Sequence, residues 1–160
     1  MRLRNERGFT MIEMFFVAVI IGIMAVMAIP RMDFMWDKNS LRTNTTEVTS
    51  SLYHARTKSV NDGEEYGVQF DAETGEYSVV SDPFGTPTTV GSVNQLEDGI
   101  LFAEITFEND MAVFNSFGQL DKDCLPSGDF TGSVIMMNEI GDSTQVDVTY
   151  LTGRIREKNL

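Results

Sequence analysis

An α+β chain, one long amino-terminal helix followed by an antiparallel β-rich domain, is what the 160-residue sequence predicts. Three observations predict it. Residues 9–29 are apolar at 18 of 21 positions, interrupted only by Thr10, Glu13 and Gly22. Leu41, Thr45, Val48, Leu52, Ala55 and Ser59 then recur at spacings of four and three, which places them on one helical face. From Glu64 onward the period falls to two and turn residues punctuate the chain, the pattern of short strands.

The apolar run comes first. Twenty-one helical residues reach about 32 Å, enough to cross a hydrocarbon core of roughly 30 Å. Arg2, Arg4 and Arg7 precede it against Glu6, a net +2 that holds an amino terminus on the cytoplasmic side and sends the following domain across. A secretory signal is one alternative, but its core is shorter, and Ala25-Val26-Met27-Ala28 is a poor cleavage site. A plain signal anchor fits the length and the arginines and leaves Glu13 unexplained. A carboxylate costs about 2.5–3.5 kcal/mol at mid-membrane on insertion scales, less near an edge, so it requires compensation. Cleavage after Gly8 would create a positive α-amine at Phe9, four positions before Glu13.

Beyond the run, Pro30 removes one helical hydrogen bond, and the helix is expected to bend or loosen near Gly22 and Pro30 before resuming to about Val60. Asn61-Asp62-Gly63 reads as its stop, with Gly63 available for a left-handed cap. Tyr66, Val68 and Phe70 alternate, Asp71 to Gly75 makes a turn, and Tyr77 with Val79 begins the return strand. Pro83, Gly85, Pro87 and Gly91 predict a surface loop. Further strands are expected at Ile100 to Phe107, Met111 to Phe114, Ser133 to Met137 and Val146 to Tyr150, with a short closing segment at Gly153 to Arg156.

Composition narrows the function. Twelve basic against 24 acidic residues give a net charge of -12, which repels phosphate backbones and disfavours a nucleic-acid partner. One cysteine, Cys124, excludes an intramolecular disulfide framework and a four-cysteine zinc site. One histidine, His54, leaves little for acid–base chemistry and is expected at the helix surface or boundary. No nucleophile–base set, metal cluster or phosphate loop stands out, so no enzymatic activity and no cofactor are expected.

The segment Arg7-Gly8-Phe9-Thr10-Met11-Ile12-Glu13 resembles the class III signal of type IV pilins and type II secretion pseudopilins. The likeness covers glycine before the cut, phenylalanine after it, glutamate at the fifth mature position, about twenty apolar residues, and Pro30. It implies cleavage between Gly8 and Phe9 by a prepilin peptidase and N-methylation of Phe9. Loss of the +2 leader takes the net charge from -12 to -14 before the new terminus is counted. It also implies that Glu13 meets the Phe9 ammonium of a neighbouring subunit during assembly, so that two charges neutralise each other within a helical bundle.

A second likeness is narrower. Val113-Phe114-Asn115-Ser116-Phe117-Gly118 and Val146 to Arg156, with Gly153-Arg154, look like the Phe-x-x-x-Gly and closing Gly-Arg patterns of GspH/FimT-type minor pseudopilins and pilins. The resemblance implies a pilin-like fold with residues 1–8 as leader, 9–29 as transmembrane helix and assembly segment, 30–62 as the soluble half of the helix and 63–160 as a periplasmic β-rich domain. The partners implied are the peptidase, other pilins or pseudopilins in a filament, and an inner-membrane assembly platform. The implied location is the bacterial inner membrane, single-pass, with the carboxyl-terminal domain periplasmic. A pseudopilus subunit acting in protein export and a minor pilin for pilus assembly or for DNA or surface-ligand binding both remain open.

Two further sets of residues have a functional and a plain reading. Asp121, Asp123 and Asp129 are candidate calcium ligands by charge, but their spacing matches no EF-hand and a solvated acidic loop fits as well. Arg154, Arg156 and Lys158 make a small basic tail that would suit DNA, yet three cations with Glu157 among them are few for that task.

Overall fold

The computed structural model describes residues 9–28 and 30–160, with the side chains of 27–38 outside the description. Two compact units result, the first ending at Trp36 and the second being Asp37–Leu160. In the first, Met11–Ala28 forms α1. Its 18 residues rise about 27 Å, slightly under a hydrocarbon thickness. Among the described residues no helix is long and apolar enough to cross a membrane. Helix α2 is Pro30–Asp62. Pro30 opens it, a position where the missing N–H forfeits no helical bond. Gly63, at φ 72°, ends it in the left-handed conformation with its amide 3.1 Å from the Ser59 carbonyl.

Within the second unit the expected helical face is the buried one. Leu41, Thr45, Val48, Leu52, Ala55 and Ser59 are all sealed from solvent, and their apolar members share one continuous core with the strands. That core floors two antiparallel sheets of four strands each. The first is built from β1 (Tyr66–Phe70), β2 (Glu76–Ser81), β3 (Thr88–Gln95) and β5 (Met111–Phe114), in the order β3-β2-β1-β5. The second is built from β4 (Ile100–Ile105), β6 (Thr131–Asn138), β7 (Ser143–Thr149) and β8 (Arg154–Asn159), in the order β4-β6-β7-β8. Strand β7 alternates strictly, with Thr144, Val146 and Val148 inward. An aromatic seam joins the sheets: Phe70 of β1 lies edge-on to Phe102 of β4 at 5.6 Å and stacks on Phe107 at 6.4 Å, while Tyr77 of β2 meets Phe102 at 6.3 Å. Such pairs add about 0.5–1.5 kcal/mol each beyond area burial.

One expectation is corrected. The predicted loop through Pro83, Gly85, Pro87 and Gly91 ends at Pro87, and Thr88–Gln95 is strand β3, paired to β2. It occupies a sheet edge and is mostly exposed on both faces, so it never acquires the apolar alternation that marks a half-buried strand. A register irregularity opposite Ser78 to Val80 accommodates Gly91.

The passage from one sheet to the other is held by a residue the periodicity did not single out. Asn44 is fully buried on α2. Its Nδ2 donates to the Ser40 carbonyl at 2.8 Å, and its Oδ1 accepts the Glu97 amide at 3.0 Å, in the segment between β3 and β4. A second tie lies near the other end of α2. Arg56 Nε donates to the Gly118 carbonyl at 2.8 Å and Nη2 to the Thr152 carbonyl at 3.1 Å. These carbonyls belong to the loops after β5 and before β8, one from each sheet. A Cβ on Gly153 would overlap the Gly118 carbonyl oxygen, and one on Gly118 would stand 2.8 Å from Val60 Cγ2, so both glycines are required by close approach.

Two outcomes follow. Leu52→Ala should cost about 2–5 kcal/mol, because its site is completely enclosed and the surrounding strands collapse only in part. Denaturant unfolding followed by circular dichroism measures it. Burial first, and then the Glu47 carboxylate, push the Tyr77 phenol up to about 12. The unfolded chain releases that proton near pH 10 while the folded chain retains it, so folding stability should fall as pH rises from about 10 towards 12. The same titration on Tyr77→Phe should lack that portion of the decline.

Candidate processing and assembly site

Gly8 and the leader residues Arg2, Arg4 and Arg7 lie outside the described residues. The described part of the site begins at Phe9, which is 72% exposed. Thr10 starts the helix: its carbonyl accepts the Glu13 amide at 3.1 Å and the Met14 amide at 3.3 Å, and its Oγ1 accepts the Glu13 amide at 3.3 Å. Thr10 is therefore the amino-terminal cap, and Thr-x-x-Glu is the sequence signature of a capping box. That signal was present in the sequence and is separate from the cleavage motif.

Glu13 occupies the first turn of α1. The unpaired amides there favour a carboxylate by about 0.3–1 kcal/mol. The cost of about 2.5–3.5 kcal/mol belongs to mid-bilayer and falls toward an edge, so this local compensation meets part of what a carboxylate near the start of the run requires. The helix offers it no cation of its own, since no basic residue lies in Phe9 to Ala28. Gly22 sits inside α1, between Ile21 and Ile23.

Every residue from Phe9 to Val26 is exposed in the chain by itself. Met11 is 94% exposed, and Phe15, Phe16, Ile20 and Ile21 are more than half exposed. A helix apolar on all sides and bare on all sides lacks the polar face of a water-facing helix.

The remaining candidates sit in the second unit. Asp121 precedes the 3-10 turn Lys122–Cys124, and its Oδ1 accepts the Asp123 amide at 2.9 Å. The turn explains the carboxylate without an ion. Asp129 is exposed, its amide bound to the Pro126 carbonyl. Among the described residues no three His, Cys, Asp or Glu side chains gather as a metal site. His54 is exposed on α2. Cys124 is buried, its Sγ donating to the Asp121 carbonyl at 3.0 Å, and burial raises its thiol to about 11.

Arg154, Arg156 and Lys158 fall on β8 with period two, all exposed, while Ile155 between them is buried. They share one face of an edge strand. Arg156 is paired across the ladder with Asp147 and Lys158 with Gln145. Charged side chains on an exposed edge deter pairing with another sheet, which accounts for part of their presence there. Arg56, which joins the loop after β5 to the turn before β8, was invisible to sequence reasoning, because its partners are carbonyls 62 and 96 residues away.

Residues 3–29 match the family described as the prokaryotic N-terminal methylation motif. The fold is similar to that of the minor pseudopilin EpsH from the type 2 secretion system of Vibrio cholerae, at 9% identity, covering 75% of this chain and 97% of that one with a TM-score of 0.56. It is equally similar to that of the type IV minor pilin FimU of Pseudomonas aeruginosa, at 12% identity, covering 74% of this chain and 92% of that one with a TM-score of 0.58. No curated protein matches the chain. The pattern glycines of the narrower likeness, Gly118 and Gly153, are the two that meet beneath Arg56.

The thiol geometry makes a direct prediction. At pH 8 the folded protein should leave Cys124 unmodified by iodoacetamide over hours, and chemical unfolding should release one reactive thiol per chain, read by mass.

Proposed function

We propose that this type IV pilin-like chain is a minor pseudopilin, a non-catalytic subunit that a prepilin peptidase trims and that then joins a filament serving protein export. The observation that carries the reading is α1, apolar and exposed on every side, opening on a carboxylate with no cation in its own helix. Cleavage between Gly8 and Phe9 supplies the missing cation as a new α-amine, and N-methylation leaves that amine positive. In a single chain the amine and Glu13 lie at the same end of one helix. In a bundle of such helices, the amine of one subunit meets Glu13 of the next, so that neither charge is left alone in apolar surroundings.

Before assembly the apolar run 9–29, three residues longer than α1, rests in the inner membrane with the leader on the cytoplasmic side and Asp37–Leu160 in the periplasm. Lipid covers the helix until neighbouring helices replace it. The abundance of methionine in the run suits a surface that packs against both. An assembly platform in the same membrane would then pass the subunit into the filament.

The likeness to FimU favours a second reading, a minor subunit of a type IV pilus. Both readings share the processing chemistry and differ in the filament that incorporates the chain. Calcium at Asp121, Asp123 and Asp129 and DNA at Arg154, Arg156 and Lys158 have less support, because the Asp121 carboxylate caps a turn, the three acids do not gather as a metal site, and the cations lie on an edge strand.

The test is made on protein from cells that contain an active prepilin peptidase. Its first residue should be Phe9 carrying one methyl group, read by mass spectrometry, and persistence of Met1 to Gly8 would overturn the proposal. Glu13→Ala should leave cleavage and membrane insertion intact and lower incorporation into filaments by about tenfold or more. Recovery of the variant in filaments at the wild-type level would remove the role assigned to Glu13.

A further inference from the structure

The start of α1 has a feature that the anchoring and assembly chemistry does not use. Phe9 and Thr10 lie outside the helix, which begins at Met11, in a chain that still carries the leader residues 1–8. Composition gives little reason for a stop there. Met1, Arg2, Leu3, Arg4, Glu6 and Arg7 are good or fair helix formers, and between them and the apolar run only Gly8 opposes a helix strongly. The stop comes from Thr10. In a helix extended backward to Phe9, the Glu13 amide would donate to the Phe9 carbonyl and the Ile12 amide to the Gly8 carbonyl. The Glu13 amide is instead drawn to Thr10, to its carbonyl at 3.1 Å and to its Oγ1 at 3.3 Å, while the Met14 amide takes the same carbonyl at 3.3 Å. The amide that would carry the helix back across Phe9 is thus spent one residue later.

A peptidase cuts backbone that stands outside secondary structure, and a bond inside a helix is cut only from the fraction of molecules that open it. Hydrolysis of the Gly8–Phe9 bond adds water across it, leaving a carboxylate on Gly8 and an ammonium group on Phe9. Where the helix starts therefore decides how much of the chain offers that bond. We infer that Thr10 is a positioning residue for the cut, its hydroxyl and carbonyl holding the Glu13 amide so that α1 starts at Met11 and the Gly8–Phe9 bond stays out of the helix. With Thr10→Ala the next residue suited to capping is Gly8, which would place Phe9 in the first helical turn. The inference rests on the cleavage proposed above and adds to it the residue that presents the bond. Only the backbone amide of Glu13 takes part, so Glu13→Ala retains the cap, and cleavage and assembly depend on different atoms of one turn.

The test uses the full chain, leader included, in detergent micelles with a prepilin peptidase. Thr10→Ala should raise the apparent KM for cleavage about fivefold, the equilibrium factor of one lost cap, and leave kcat unchanged, because only molecules with the bond outside the helix are taken up. Thr10→Ser and Thr10→Asn, which share the capping oxygen and not the shape of threonine, should return both constants to near the wild-type values. The carbonyl carbon shift of Phe9, read by NMR on the uncleaved chain, should move into the helical range in Thr10→Ala and back in Thr10→Asn. An unchanged KM in Thr10→Ala, a fall in kcat in its place, or a Thr10→Asn variant as impaired as Thr10→Ala would overturn the inference, the last two by making Thr10 a side chain that the peptidase itself reads. Wild-type chain that is cleaved alongside an unaffected Thr10→Ala removes this inference alone, whereas wild-type chain left uncleaved removes the functional reading with it.

Discussion

One face of one helix organises the second unit. From Leu41 to Ser59, α2 presents a stripe that is only moderately apolar by composition, yet it is completely covered, and both sheets share the core it floors. Two sheets cannot close over one helix unless the chain crosses between them without stranding polar backbone. Asn44 solves this at one point by receiving the Glu97 amide at the crossing, and Arg56 solves it at another by donating to carbonyls of two loops. At the fully buried Asn44 such a bond is worth more than its net energy, because its loss leaves a buried polar group unpaired at about 1–3 kcal/mol. The aromatic seam of Phe70, Tyr77, Phe102 and Phe107 joins the two sheets within the same core.

The first helix follows the opposite rule. It has no covered side, and its polar residues gather at its start, where Thr10 caps the chain and Glu13 lies in the first turn. A segment of this kind is incomplete as a single chain. Its carboxylate and its bare surface both call for surroundings supplied by other molecules, which is why the functional reading concerns assembly rather than chemistry performed within a pocket.

Legibility in the sequence tracked locality. The α2 face, the Gly63 cap, the β1–β2 hairpin and strand β5 were readable, because each depends on spacing within a few residues and on burial of one face. Strand β3 was read as loop, since an edge strand exposed on both faces lacks alternation, and Pro83, Gly85 and Pro87 before it with Gly91 inside it dominate the local signal. The division into two sheets, and the roles of Asn44 and Arg56, were not readable at all. They are set by contacts across 53 to 96 residues, made to backbone atoms that every residue possesses. The amino-terminal methylation motif was legible because it is a run of adjacent residues, and the Thr10 cap was visible in the same residues but overshadowed by that motif.

The enclosed sulfur of Cys124 has a consequence for where such a domain can be sent. A thiol held in its neutral form and packed away from solvent is a poor participant in exchange with oxidants or with other thiols. While folded, the domain therefore keeps its thiol neither bridged to a sister copy nor trapped on a carrier, even under oxidising conditions. Its durability there comes entirely from how well two sheets fit one helix, and any loosening around the Lys122–Cys124 turn would forfeit that chemical silence along with the packing.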